Sequence, residues 1–139
     1  GIKPILCVGE NKKIIDGQDK IDQHQLDKLI DQLIEGISPV KSSELNKVII
    51  AYEPVWAIGT KNPATAEYAS RIINHLQQAI SQKYSQTAAN SVRFLYGGSV
   101  DRSNATDFLH QERIDGILAG GVSVKANDFI EICRIAAKL

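Results

Sequence analysis

Glu53 is the residue with the most chemistry to offer. It follows directly on the apolar run 48–52, and Pro54 comes next, fixing its own φ and restricting the residue before it. A carboxylate aimed by so stiff an exit suits a general base beneath a moving lid. Pro54, Val55, Trp56, Ala57, Ile58, Gly59 and Thr60 form the loop that follows, and Gly59 leaves its tip free to approach a ligand. Two more apolar runs end in glycine pairs, Gly97-Gly98 followed by Ser99, and Gly120-Gly121. Backbone N–H groups at Gly59, Ser99, Gly120 and Gly121 can surround a small anion, since glycine admits close approach and a following helix N-terminus favours negative charge. A carboxylate beside such a cradle can take a proton from a carbon next to a carbonyl, provided water is excluded and the oxyanion is stabilised. Taken singly, a Glu-Pro junction is an ordinary strand end and a glycine pair an ordinary tight turn. Their convergence carries the reading. No Lys or His stands at a strand end, so the electrophile for that oxyanion is missing.

The elements that must position these residues repeat in order. A strand over 5–8 ends at Gly9-Glu10. Leu26, Leu29, Ile30, Leu33, Ile34 and Ile37 then recur at the spacing of one helical face, with Gly36 as a stop signal and Pro39 soon after. Residues 38–44 read as a polar loop. The strand 48–52 is continuously apolar, as in parallel sheets buried on both faces. Thr65 can cap a helix that buries Ala69, Ile72, Ile73, Leu76, Ala79 and Ile80. A polar link over 85–91, a strand over 92–96, a short helix over 104–110 and a strand over 114–119 follow. The last helix is predicted to bury Phe129, Ile130, Cys133 and Ala137.

Strand and helix alternate four times, which implies an α/β fold with parallel strands and right-handed crossovers. An open doubly wound sheet and part of a (β/α)₈ barrel both satisfy the pattern. The glycine turns lack the G-x-G-x-x-G fingerprint of a dinucleotide fold, which weakens the open sheet. An intact barrel needs about 250 residues, and these 139 form a single domain with about half of one. In that architecture the C-terminal strand ends share one rim, where active sites form.

Ala51-Tyr52-Glu53-Pro54-Val55-Trp56-Ala57-Ile58-Gly59-Thr60, with Tyr96-Gly97-Gly98-Ser99-Val100 and Asp115-Gly116-Ile117-Leu118-Ala119-Gly120-Gly121, closely resembles the triosephosphate isomerase family. Cys7-Val8-Gly9-Glu10 is similar to that family's fifth strand, so the resemblance runs from the fifth strand to the last helix, the C-terminal half. It implies that Glu53 is the base that moves a proton between the carbons of dihydroxyacetone phosphate and glyceraldehyde 3-phosphate through an enediol. It further implies phosphate binding by Gly59, Ser99, Gly120 and Gly121, a first lid hinge at Pro54-Val55-Trp56, lid-bonding roles for Tyr96 and Ser99, and Glu10 as partner of the lid tryptophan in the open state. No cofactor or metal is implied. The implied partners are a small phosphorylated triose, the missing N-terminal half or another copy of the chain, and a homodimeric parent. The far hinge departs from the family: Lys61-Asn62-Pro63-Ala64 replaces a Gly-Lys-Thr-Ala type, with Lys61 in place of glycine and Pro63 removing an N–H. The family's Asn and Lys from its first strand, its His from the fourth and its dimer loop are absent from these residues. The isolated chain is therefore expected to lack substantial isomerase activity. The alternative is a non-catalytic half-barrel that binds phosphate or self-associates.

Hydrophobic content of 43% and charged content of 23% are ordinary for a soluble globular protein. Sixteen basic and sixteen acidic residues cancel, which leaves no footprint for nucleic acid or an acidic membrane surface. Cys7 and Cys133 read as reduced core residues without metal-ligand spacing to His24, His75 or His110. With no apolar run of about 20 residues and no signal core, the expectation is a soluble cytoplasmic protein. The abrupt opening on a strand and the lack of methionine suggest a fragment.

Overall fold

The computed structural model describes residues 2–60 and 63–138. Its strands are β1 (Ile5–Val8), β2 (Ile49–Tyr52), β3 (Arg93–Tyr96) and β4 (Gly116–Ile117), paired in parallel in sequence order. Ile5 lies opposite Ile49, which lies opposite Arg93, and Leu95 lies opposite Gly116. The helices are α1 (Gln23–Ile37), α2 (Ala66–Lys83), α3 (Gln86–Ser91), α4 (Ala105–Leu109) and α5 (Ala126–Ala136). Period-two alternation explains how the layers meet. Val8, Ile50, Tyr52, Phe94 and Tyr96 point to one face and are buried with Leu29, Leu33, Ile72, Ile73 and Leu76 in a single core. The opposite face carries Ile5, 45% exposed, with the exposed Cys7 and Arg93. Strands in unbroken order with helices on one face only are singly wound, the topology of a barrel and not of a doubly wound sheet.

Helix ends follow local chemistry. Asp22 caps α1 by accepting from the Gln25 N–H at 3.2 Å, Thr65 caps α2 through the Tyr68 N–H at 3.1 Å, and Ser85 caps α3 through the Ala88 N–H at 3.1 Å. Along α2, every residue expected to be buried is buried. Along α1, Leu26, Leu29, Leu33 and Ile37 are buried while Ile30 and Ile34 are partly so.

Several expectations change. Gly36 does not stop α1, which runs through it to Ile37. A Cβ there would stand 2.6 Å from Leu6 Cδ2, so this glycine lets the helix approach β1. The polar stretch after α1 holds a 3₁₀ helix, Ser42–Lys47, closed onto the core by the buried Leu45. Residues 85–91 are the capped helix α3 and not a link; Ala88 and Ala89 supply its small buried face. β4 is shorter than the apolar run 114–119 because it pairs on one side only. The expectation of burial on both faces holds for β2, where Ile50, Ala51 and Tyr52 are 0% exposed, whereas the edge strand β1 leaves Ile5 and Cys7 exposed on the side that Ala51 shares.

The last helix differs most. Phe129 is 38% and Ile130 47% exposed, Cys133 and Ala137 are exposed, and Ile132 is the buried residue. α5 lies beyond the last strand, so one side of its apolar surface has no neighbour and instead borders a groove of about 420 Å³ with Leu109, Ile114 and Ile117. Neither cysteine is a core residue. No helix among the described residues is long and apolar enough to cross a membrane.

Candidate active site

The rim is set by main-chain bonds that continue each strand one residue further. The Glu53 N–H donates to Val8 O at 2.8 Å, Gly97 N–H to Tyr52 O at 2.8 Å, and Leu118 N–H to Tyr96 O at 2.9 Å. Glu53 therefore leaves the sheet between the ends of β1 and β3, and glycines on both sides make room for it. A Cβ on Gly9 would overlap the Glu53 carbonyl, while one on Gly97 would stand 2.6 Å from Glu53 Cγ and 2.9 Å from Oε1. The side chain is half-buried. Cys7, on the open face of β1, is a neighbour of the Glu53 carboxylate; burial first and the Glu53 charge second push its thiol pKa up.

The loop after Glu53 is held at both ends. Val55 N–H donates to Glu10 O at 2.9 Å, and residues Val55–Ala57 form one 3₁₀ turn. Val55 is 49% and Ile58 44% exposed, while Ala57 is buried. Gly59 has φ +66°, a left-handed conformation that a side chain would strain. Ser99 Oγ lies 2.7 Å from Ala57 O and 3.2 Å from Thr60 O, so its hydroxyl donates to the main chain of the loop. Of the far hinge, Lys61 and Asn62 lie outside the described residues, while Pro63 and Ala64 are described.

Beneath the Val55–Ala57 turn is a buried carboxylate. Glu10 is 3% exposed, and its Oε1 accepts from Tyr52 OH at 2.8 Å, Trp56 Nε1 at 2.8 Å and Tyr68 OH at 3.0 Å. Tyr68 OH in turn accepts from the Ile14 N–H at 2.8 Å. Burial, and after it the Glu10 charge, pushes the phenols of Tyr52 and Tyr68 far above their usual range, so both stay donors at any ordinary pH. Tyr96, stacked on Phe108 at 4.0 Å, is pushed up to about 12 by burial. Its ring also explains Gly98, where a Cβ would fall 2.2 Å from the Tyr96 hydroxyl oxygen.

The third and fourth strand ends meet the loop in one open cleft of about 570 Å³, lined by Gly59, Thr60, Gly97, Gly98, Ser99, Gly120 and Gly121 among others. All four residues expected to hold an anion thus share one cavity. Gly97 joins that cavity to the Glu53 carboxylate. Sequence reasoning missed three features of this arrangement: Gly9 and Gly97 as the space for Glu53, Cys7 as the neighbour of its carboxylate, and Asp115. Asp115 Oδ2 accepts from the Phe94 N–H at 2.7 Å while its own N–H donates to Phe94 O at 2.8 Å, pinning the start of β4 to β3. A lone carboxylate inside the apolar run 114–119 was the available signal for it.

A singly wound parallel sheet with a carboxylate and three glycine-bearing loops at its C-terminal rim defines an α/β protein of the (β/α)₈-barrel kind, represented here by four β-α units. The family model described as Triosephosphate isomerase matches residues 1–136. Proteins called triosephosphate isomerase are similar to it throughout: that of Dehalococcoides mccartyi (strain 195) is 40% identical over 137 residues, 99% of this chain and 51% of that protein. That of Saccharopolyspora erythraea is 38% identical over the same shares, and that of Fusobacterium nucleatum 40% over 96% of this chain and 51% of its own. The chain belongs to the triosephosphate isomerase family. It spans about half the length of the curated relatives it matches.

Proposed function

We propose that these residues supply the proton-transfer base and the phosphate-binding loops of a cytoplasmic triosephosphate isomerase, and that the electrophile comes from outside them. The observation that carries this reading is the single cleft uniting Gly59, Ser99, Gly120 and Gly121 beside Glu53. The phosphate of the triose sits against the backbone amides of those four residues. Its carbon chain then reaches toward Glu53, which takes a proton from the carbon next to the carbonyl and returns it to the neighbouring carbon. Charge developing on the oxygen needs donors aimed at it, and by family resemblance a Lys and a His of the N-terminal half provide them. Pro54, Val55 and Trp56 act as hinge, with Ala57, Ile58, Gly59 and Thr60 as the lid that excludes water.

Mixing the chain with the N-terminal half of a relative and following dihydroxyacetone phosphate conversion tests this. Isomerisation is expected only in the mixture, and Glu53→Gln is expected to abolish it. Activity that survives Glu53→Gln would sink the assignment of the base.

A second reading, a self-associating half-barrel, is favoured by the uncovered side of the sheet with Ile5 and Cys7, and by the apolar groove at α5. Sedimentation as one monomeric species over a wide concentration range would remove it.

A further inference from the structure

Trp56 is held on several sides, by Glu10 and Lys13 before it in the chain and by Tyr68 after it. Its Nε1–H bonds Glu10 at 2.8 Å, and Tyr68 meets it edge-on with centroids 5.5 Å apart. The Nζ of Lys13 lies over the indole, 4.7 Å from the ring centroid. The lysine is exposed, and among the described residues it forms no ion pair. Its backbone is not free to swing. Ile14 and Ile15, which follow it, are 1% and 5% exposed, and the Ile14 N–H is tied to Tyr68 OH. The ammonium is thus presented to the ring from a fixed point, which lowers the entropy lost in making the contact.

We propose that Lys13 is a positioning residue for the lid hinge: its ammonium, set over the face of Trp56, holds the indole in its seat on Glu10 and thereby opposes any lid movement that lifts it. This rests on reading residues 54–60 as a lid. Lys13 touches neither the cleft nor Glu53, and it acts only through Trp56. A cation–π contact at an exposed site shifts such an equilibrium by about two- to fivefold.

Trp56 is the single tryptophan, so hydrogen exchange of its indole N–H, followed by NMR in the 139-residue chain, reports how often it leaves Glu10. Lys13→Met is expected to speed that exchange about two- to fivefold and Lys13→Arg to restore it. Unchanged indole exchange in Lys13→Met overturns the proposal, and so does faster exchange that Arg does not correct. Titration with inorganic phosphate, read by Trp56 fluorescence, adds the link to the lid. Half-saturation is expected at about two- to fivefold lower phosphate in Lys13→Met. An unshifted midpoint there refutes the coupling to the lid. No phosphate response in any variant removes the lid reading itself, and the exchange rates still decide whether Lys13 seats Trp56.

Discussion

Glu53 occupies space that two glycines leave empty. Adding a methyl group at Gly97 puts a carbon 2.6 Å from Glu53 Cγ, and the carboxylate has to turn away. Misplacing a reacting group by about 1 Å costs on the order of 10²-fold in rate. Gly97→Ala, in the chain completed by an N-terminal half, is therefore expected to lower kcat by that order while KM changes less, as steady-state kinetics will record. Cys7 offers an independent probe of the same carboxylate. Its thiol pKa is raised by burial first and by the Glu53 charge second, so at mildly alkaline pH it holds less thiolate than an ordinary cysteine. Glu53→Gln removes the second cause, moves the pKa back down and increases the thiolate fraction. Alkylation of Cys7 at pH 8 is expected to be faster in Glu53→Gln than in the wild type. Equal rates would place the carboxylate away from the thiol. The place of Glu53 at a strand end was legible in the sequence because strand, Pro54 and loop stand in one line. Its neighbours were not, because Cys7 and Gly97 meet Glu53 only through strand pairing.

At the scale of elements, the loop after β2 is fastened to the end of β1 through Glu10. Two effects oppose each other when Glu10 is truncated: three donors lose their acceptor, and a buried carboxylate whose Oε2 has no partner among the described residues is relieved. Leaving buried donors unsatisfied costs about 1–3 kcal/mol each, so the loss dominates. Glu10→Ala is expected to destabilise the fold by about 3 kcal/mol in urea unfolding and to move Trp56 emission to longer wavelength. Glu10→Gln keeps an acceptor and is expected to cost less. Legibility of the elements followed their partners. α2 is covered along its full stripe and α1 along Leu26, Leu29, Leu33 and Ile37, so there period and burial largely coincide. α3 has only two alanines to bury, too few to register as a period. α5 carries a good apolar period, yet its burial depends on a neighbour that these residues do not contain.

For the whole molecule, the arrangement is a stack of repeated units with two free edges, on β1 and β4, and one uncovered face. The parallel pairing of the strands was legible because each β-α unit is read locally and joins its neighbour through a crossover. Closure was not, since nothing in a local pattern counts the units. Strand register also bears on how the chain folds. Residues paired across β1 and β2 are separated by as much chain as those across β2 and β3, whereas β3 and β4 pair across about half that length. Halving a loop saves only roughly 0.6 kcal/mol of closure entropy, and β4 returns two paired residues where the other contacts return four. The shortest loop is thus a poor starting point, and β2, paired on both sides, is the natural nucleus. Ile50→Val is expected to slow refolding in stopped-flow measurements, while Ile117→Val chiefly speeds unfolding.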